Sequence, residues 1–218
     1  MAALKTFHWE TVTPQMHQIL VSIGTADYSS RFYLAGGTAL ALQLGHRLSI
    51  DLDFFSETDE VLEKTRQEII KHLTKNPLQV LEKTDGNLLL MVENTRVGFF
   101  GYGYPLTKPV IIVEGTRLAA LEDIGLMKLD AVISRGARKD FYDLFYITQE
   151  IPLNALFELA KVKFSVVRDF GMIALEHMVL FDNADRDIQP ILRDSLPWDS
   201  IKQFFLQQAE QLEKKWFE

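Results

Sequence analysis

Leu34–Phe55 reads LAGGTALALQLGHRLSIDLDFF, and it sets a glycine-rich turn and a strand carrying two carboxylates within one supersecondary unit. Phe32, Tyr33 and Leu34 read as a short apolar strand, Gly36-Gly37 as the turn, and Thr38–Leu44 as a helix whose first residue caps its own backbone donors. A helix that opens this way suits a phosphate group. Its free N–H groups and positive dipole end face an anion, and two residues without side chains allow close approach to the backbone. Gly45 then ends the helix.

From Leu48 to Phe54 the residues alternate. Ser49, Asp51 and Asp53 are expected on one face of a strand, with Leu48, Ile50, Leu52 and Phe54 on the other. Same-face neighbours lie about 6.6 Å apart at Cα. Two carboxylates at that spacing suit one or two hard divalent cations, since Mg²⁺ commonly takes one or two protein carboxylates and completes its shell with phosphate oxygens and water. A D-x-D pair alone is more often a solvated edge strand; the phosphate-type turn upstream is a second, independent requirement met.

A second block, AALEDIGLMKLDAVISRGARKDFYDLFY, spans residues 119–146. A helix is expected over Ala119–Ser134, with Glu122 and Asp123 at its start and Gly136 past its end. It carries Lys128, whose compact ammonium suits charge developing on a leaving pyrophosphate. Asp140 and Asp143 sit at i and i+3 on the next helix and so share a face, from which they can orient Lys128, meet Arg135 or Arg138, or approach a nucleotide.

Both blocks resemble the AbiEii/AbiGii-type nucleotidyltransferases, a branch of the polymerase-beta-like superfamily that includes toxins of bacterial toxin–antitoxin systems. GGTALALQLGHRLSIDLDFF is similar to the family's signature, and the downstream block is similar to its lysine helix followed by a basic stretch and K-D-x-x-D. Two separated blocks in the right order cover, with the segment between them, about the first two-thirds of the chain. The resemblance implies an α+β fold, a polymerase-beta-like mixed sheet flanked by helices over residues 1–115, then a helical bundle over 116–218 completing the active-site cleft.

It also implies a Mg²⁺- or Mn²⁺-dependent enzyme that transfers a nucleoside monophosphate from an NTP to an acceptor hydroxyl. Asp51 and Asp53 are then the metal ligands, and Asp51, Asp53, Lys128 and Asp140 the catalytic set. Gly36, Gly37, Thr38, Ser49, Lys128 and Asp143 would hold the nucleotide. The acceptor is RNA, with tRNA the leading candidate, or a protein, and a cognate antitoxin is an expected partner. Enzymes of the superfamily commonly carry a third acid on a later strand beside the D-x-D strand. RVGFFGYGYP, residues 96–105, has none, and the nearest carboxylate is Glu93 at a hairpin corner. Two other classes therefore stay open: a catalytically silent nucleotide-binding or protein-interaction module, and a small-molecule nucleotidyltransferase.

The 218 residues are 47% hydrophobic and 24% charged, ordinary for a globular chain with one large or two small cores. No apolar run approaches the roughly 18 residues of a membrane span, and no basic and apolar leader opens the sequence. Cysteine is absent, which excludes disulfides, thiolate zinc sites and thiol catalysis and fits a cytoplasmic setting. A net charge of −7 argues against a chain built to coat nucleic acid, so any polyanion must be met by a local patch such as Arg135, Arg138, Lys139, Lys161, Lys163 and Arg168.

The remaining pattern predicts a helix over 13–23, another over 59–74, and an antiparallel meander of strands over 77–81, 87–93 and 97–102, with turns at Asp85-Gly86 and Asn94-Thr95. A fourth short strand follows over 110–113. Beyond Glu114-Gly115-Thr116 the pattern reads as helical: 119–134, 138–148, 153–163, 166–180 and 198–216. His8, His17, His72 and His177 lack a second ligand at metal spacing. His46 and Arg47 occupy the turn before the D-x-D strand, where a base or phosphate is within reach. Phe99, Phe100, Tyr102 and Tyr104 offer either a stacking surface or core.

Overall fold

The computed structural model describes residues 6–217, and the chain divides between Ala120 and Leu121 into two compact units. The reading of the extreme N-terminus as leaderless lies outside the described residues.

The first unit is built on a seven-stranded mixed sheet, ordered β3-β4-β5-β2-β1-β7-β6. Its strands are β1 (Tyr33–Leu34), β2 (Asp51–Ser56), β3 (Leu78–Thr84), β4 (Asn87–Val92), β5 (Thr95–Gly101), β6 (Ile111–Val113) and β7 (Thr116–Leu118). Three helices accompany them: α1 (Pro14–Gly24), α2 (Gly36–Leu44) and α3 (Glu63–Leu73). β2 runs parallel to β5 and β1 parallel to β7, while the other neighbours are antiparallel. Thr13 caps α1, its hydroxyl accepting from Met16 N at 3.1 Å with Pro14 at the first helical position.

One sheet face is core. Leu52 and Phe54 of β2, Val97 and Phe99 of β5, and Leu88 and Leu90 of β4 are all buried, and Phe54 stacks on Phe99 at 5.1 Å. The meander expected over β3–β5 is present, with Asp85-Gly86 as its first turn. The second turn is Glu93-Asn94, one residue earlier than the sequence pattern suggested, because Val92 pairs with Thr95.

Two strand expectations are corrected. Leu48 and Ile50 do not join Leu52 and Phe54 inside; they are 46% and 71% exposed. β2 begins only at Asp51, and Ser49 N–H bonds the carbonyl of Thr11 instead of a sheet neighbour, so the alternation is not carried back through residues 48–50. The helical pattern beyond Glu114-Gly115-Thr116 includes no strand, yet Thr116–Leu118 forms β7. Glu114 and Gly115, both at positive φ, form a two-residue turn that returns the chain as a hairpin, which carries the sheet past residue 115.

The second unit is helical: α4 (Leu121–Ser134), α5 (Arg138–Thr148), α6 (Leu153–Lys163), α7 (Phe170–His177), α8 (Asp182–Arg186) and α9 (Trp198–Phe217). The helix expected over 166–180 shrinks to α7, because Asp169 adopts a left-handed conformation just before it. α4 is the central element, touching α5, α6 and α7. It is therefore buried on more than one face, charged residues included. Gly125 lies where an added Cβ would meet Leu156 Cδ2 at 2.9 Å and Ile147 Cγ2 at 3.2 Å, so it sets how closely α5 and α6 approach. Asp123 of α4 meets Lys163 of α6 at 3.0 Å, with both side chains fully buried. Lys163 thus belongs to the core of the helical unit and drops out of the basic patch read from the sequence.

Two measurements check this packing. Gly24→Ala raises helix propensity, yet the new Cβ would sit 2.8 Å from both Gly115 C and Thr116 N. The overpacking should dominate, lowering stability by about 1–3 kcal/mol in urea unfolding, and a stabilised variant would refute this contact. Lys163→Ala removes the cation that faces the buried Asp123 carboxylate and should cost about 3–5 kcal/mol, whereas Asp123→Leu with Lys163→Met should come out near neutral or more stable. Equal losses in the single and double variants would show that the pair is not what holds α4 to α6.

Candidate active site in the glycine-turn and D-x-D unit

The local fold of the first unit brings α2 and β2 together. Ala35 N–H bonds the carbonyl of Asp53 at 3.0 Å, and Gly36 then turns the chain at φ +64 to start α2. A Cβ on Gly36 would lie 3.5 Å from Asp53 Oδ2, so a missing side chain keeps the space between the helix terminus and the carboxylate open. Gly45 closes the helix at φ +66, its N–H bonding Ala41 O, as the sequence indicated.

Thr38 does not cap its helix. Ala35 is the N-cap and supplies no side-chain bond. The Thr38 hydroxyl is buried, donates to the Asp51 carbonyl, and lies 2.7 Å from Ser49 Oγ. A hydroxyl has one proton, so with that proton on the carbonyl Ser49 is the donor to Thr38. Thr38 and Ser49 therefore hold the start of β2 against α2, and Ser49 is buried rather than standing on the strand face.

Gly37 serves a different contact from the one expected. Its Cβ position is filled by the Arg47 guanidinium, 2.2 Å from Nη2, and Arg47 is only 6% exposed while donating to Leu48 O at 2.9 Å. A buried cation thus lies beside the opening turn of α2. The sequence placed Arg47 in the right loop but gave no sign that Gly37 exists to admit it. His46 is buried as well.

Asp51 and Asp53 occupy the half-exposed face of β2. Strand register fixes their neighbours: Asp51 is opposite Arg96 on β5, and Asp53 opposite Gly98. Phe55 and Phe100, the next pair on that face, have ring centroids 5.2 Å apart, which confirms the shared side. Phe99 is core, while Phe100, Tyr102 and Tyr104 are half-buried, and Tyr102 contacts both Phe55 and Tyr104. Among the described residues no three His, Cys, Asp or Glu side chains gather as a metal cluster. The histidines set aside in the sequence have ordinary partners, such as Glu114 for His17 and Ser22 for His72.

In the helical unit the second block forms a buried ion network. Lys128 Nζ lies 2.9 Å from Asp140 Oδ1 and 2.6 Å from Asp143 Oδ2, with Lys128 4% exposed and both aspartates fully buried. Arg135 grips Asp140 in a fork, Nε to Oδ2 at 2.7 Å and Nη2 to Oδ1 at 2.8 Å, and its own side chain is 55% exposed. Burial alone would push the Asp140 carboxyl up; the Lys128 ammonium and the Arg135 guanidinium outweigh it and hold the group below the usual carboxylate range. Two cations and two carboxylates balance, which is what permits this burial. Arg138 is turned toward α8, donating to Ala184 O and Asp185 O and lying over Trp198.

Comparison with known proteins identifies the family and the fold. The family described as nucleotidyl transferase AbiEii toxin, type IV TA system, matches residues 18–216. The uncharacterized protein aq_aa25 of Aquifex aeolicus is 30% identical over 197 residues, covering 88% of this chain and 91% of its own. Among solved structures, the MenT4 nucleotidyltransferase toxin of Mycobacterium tuberculosis superposes with a TM-score of 0.61 at 18% identity, over 90% of this chain and 81% of that one. ANT(2'')-Ia in complex with adenylyl-2''-tobramycin gives 0.54 at 15% identity, over 71% of this chain and 99% of that one. With its α+β sheet unit followed by helices and a family match over nearly its whole length, the chain belongs to the AbiEii nucleotidyltransferase toxin family and is a nucleotidyltransferase.

Proposed function

We propose that the protein transfers a nucleoside monophosphate from an NTP to a hydroxyl of RNA, with Mg²⁺ held by Asp51 and Asp53. The observation that carries the reading is the pair of half-exposed carboxylates on β2 with the α2 N-terminus beside Asp53, separated by the space that Gly36 leaves. Two half-exposed carboxylates on one strand face fit Mg²⁺, which fills the rest of its shell with water and phosphate oxygens. Bound there, the ion would neutralise charge on the triphosphate. The backbone N–H groups at the start of α2 receive phosphate oxygens, while Thr38 and Ser49 keep Asp51 in place. The acceptor oxygen bonds to the α-phosphorus as the α–β bridging P–O bond breaks. Pyrophosphate leaves and the hydroxyl proton passes to solvent.

Lys128, Asp140 and Asp143 are carried into the reading by their match to the family pattern, with Lys128 the proposed catalytic lysine. RNA is favoured over a protein or a small-molecule acceptor because an exposed guanidinium, Arg96, stands beside Asp51. NTP and RNA as substrates place the activity in the cytoplasm. A cognate antitoxin is the expected partner, in keeping with the family's toxin–antitoxin description. The direct test incubates the protein with each labelled NTP, Mg²⁺ and total tRNA, with a protein lysate and an aminoglycoside as alternative acceptors.

Asp51→Asn with Asp53→Asn should abolish Mg²⁺-dependent NTP binding in calorimetry while leaving the circular dichroism spectrum unchanged, since neither side chain is core. Unaltered affinity would remove both residues from the site.

Lys128→Ala carries two separable effects. It takes the ammonium away from two buried carboxylates, so stability should fall by about 3–5 kcal/mol. At a temperature where the variant stays folded, kcat should fall by the equivalent of about 2–4 kcal/mol at saturating NTP, while ground-state NTP affinity changes less. Wild-type turnover in the folded variant would confine Lys128 to packing. The Asp140 pKa is lower folded than unfolded, so its stabilising contribution is complete above the unfolded value of about 3.9 and fades as pH drops toward the folded one. Asp140→Asn should therefore lose stability at pH 7 yet show a shallower decline with acid in the same window.

A further inference from the structure

The two flanks of the Asp51–Asp53 strand are chemically unlike. On one side stand β1 and the start of α2, where Gly36 opens space next to Asp53 Oδ2. On the other stands β5, whose residues on the carboxylate face are Arg96, Gly98 and Phe100. Gly98 has no room for a side chain: a Cβ there would lie 2.5 Å from the Phe100 ring and 3.2 Å from Asp53 Oδ1. Phe100 is apolar. Arg96 is thus the one β5 residue on this face able to present a polar side chain, and it is exposed.

Charge decides what such a flank can hold. A pair of metal ions about 4 Å apart needs carboxylates on both sides to offset their mutual repulsion. Here the register partner of Asp51 is a permanent cation instead. In an in-line displacement the attacking and leaving oxygens lie on opposite sides of the phosphorus. With the triphosphate on the α2 flank, the β5 flank faces the acceptor.

Building on the reading that Asp51 and Asp53 hold metal and α2 the triphosphate, we propose that Arg96 is the acceptor-side cation of this site. Its guanidinium binds a phosphate of the RNA acceptor beside the reacting hydroxyl, and its position restricts the carboxylate pair to a single divalent ion. The planar fork of an arginine suits a phosphodiester, which offers two unesterified oxygens at matching spacing.

The test uses the full chain, Mn²⁺ as the probe ion, and a synthetic RNA hairpin with a single-stranded 3′ end. Electron paramagnetic resonance titration in the presence of NTP should count one Mn²⁺ per wild-type chain beyond that bound by free NTP. Arg96→Glu should raise the count to two. RNA affinity, measured by fluorescence anisotropy in EDTA so that metal plays no part, should fall roughly 10-fold or more in Arg96→Ala. The slope of log K against log salt should shrink by about 0.7, and Arg96→Lys should recover part of the affinity. NTP affinity should stay at the wild-type value in Arg96→Ala, because the triphosphate lies on the other flank. Unchanged RNA affinity and slope in Arg96→Ala, or two Mn²⁺ in the wild type, would overturn the proposal. So would a loss of NTP affinity matching that for RNA, which would move Arg96 to the triphosphate. A wild type that binds neither NTP nor Mn²⁺ would sink the metal-site reading itself and this inference with it, a result readily told apart from intact NTP binding with an indifferent Arg96.

Discussion

The single proton of the Thr38 hydroxyl, given to the carbonyl of Asp51, is the contact on which the first unit's chemistry depends. It joins the first turn of α2 to the first residue of β2, two segments separated by the loop of residues 45–50. Ser49 completes the link by donating to the Thr38 hydroxyl oxygen. Because both groups are buried, the contact is formed in a low-dielectric setting where a lost partner is costly and an alternative through water is excluded. Carboxylates on a strand begin wherever the strand begins. Fixing the start of β2 fixes where Asp51 and Asp53 stand relative to the helix dipole.

The second unit solves a different problem with the opposite means. α4 is packed by three neighbours, and its two buried charged residues are matched inside: Asp123 by Lys163, and Lys128 by Asp140 and Asp143 with Arg135 closing the network. Such pairs add little net stability relative to apolar packing, but they penalise any helix register that separates the partners. The unit is thereby held to one arrangement. Arg135, the half-exposed member, is where that network reaches solvent.

Much of this was legible in the sequence because local chemistry carried it. The glycine turn, the D-x-D strand, the meander with its Asp85-Gly86 turn, and the helices over 138–148 and 153–163 all follow from spacing within a few residues. That Asp140 and Asp143 share a helix face followed from their spacing, but which cation they meet, Lys128, Arg135 or Arg138, did not. Features set by contacts between distant segments were hidden. That Gly37 makes room for Arg47, that Thr38 serves β2 rather than its own helix, and that Lys163 is core could not be counted off a helix or strand period. Arg96 shows the limit most clearly: its partner is set by parallel pairing between β2 and β5, strands separated by a helix and a hairpin, and parallel register leaves no mark in the sequence. β7 was missed for a smaller reason. Three residues after an Glu-Gly turn carry too little alternation to be told from a helix approach.

Net charge sharpens the part that a few cations must play. At −7 the whole chain repels a polyanion at long range, over roughly a Debye length of 8 Å at physiological salt and farther in dilute buffer. Many of its cations are already committed: Lys163 is internal, while Lys161, Arg168 and Lys202 sit against Glu158, Asp169 and Asp185. An RNA that approaches such a surface gains little from diffuse attraction and must be recognised at short range. In the proposed site, a guanidinium one strand away from the Asp51 and Asp53 carboxylates is effective because its charge acts within a few ångströms, where screening by salt is weakest. Discrimination then favours an acceptor that presents a phosphate and a hydroxyl together. One lacking the phosphate would leave the guanidinium unmatched at the reacting centre.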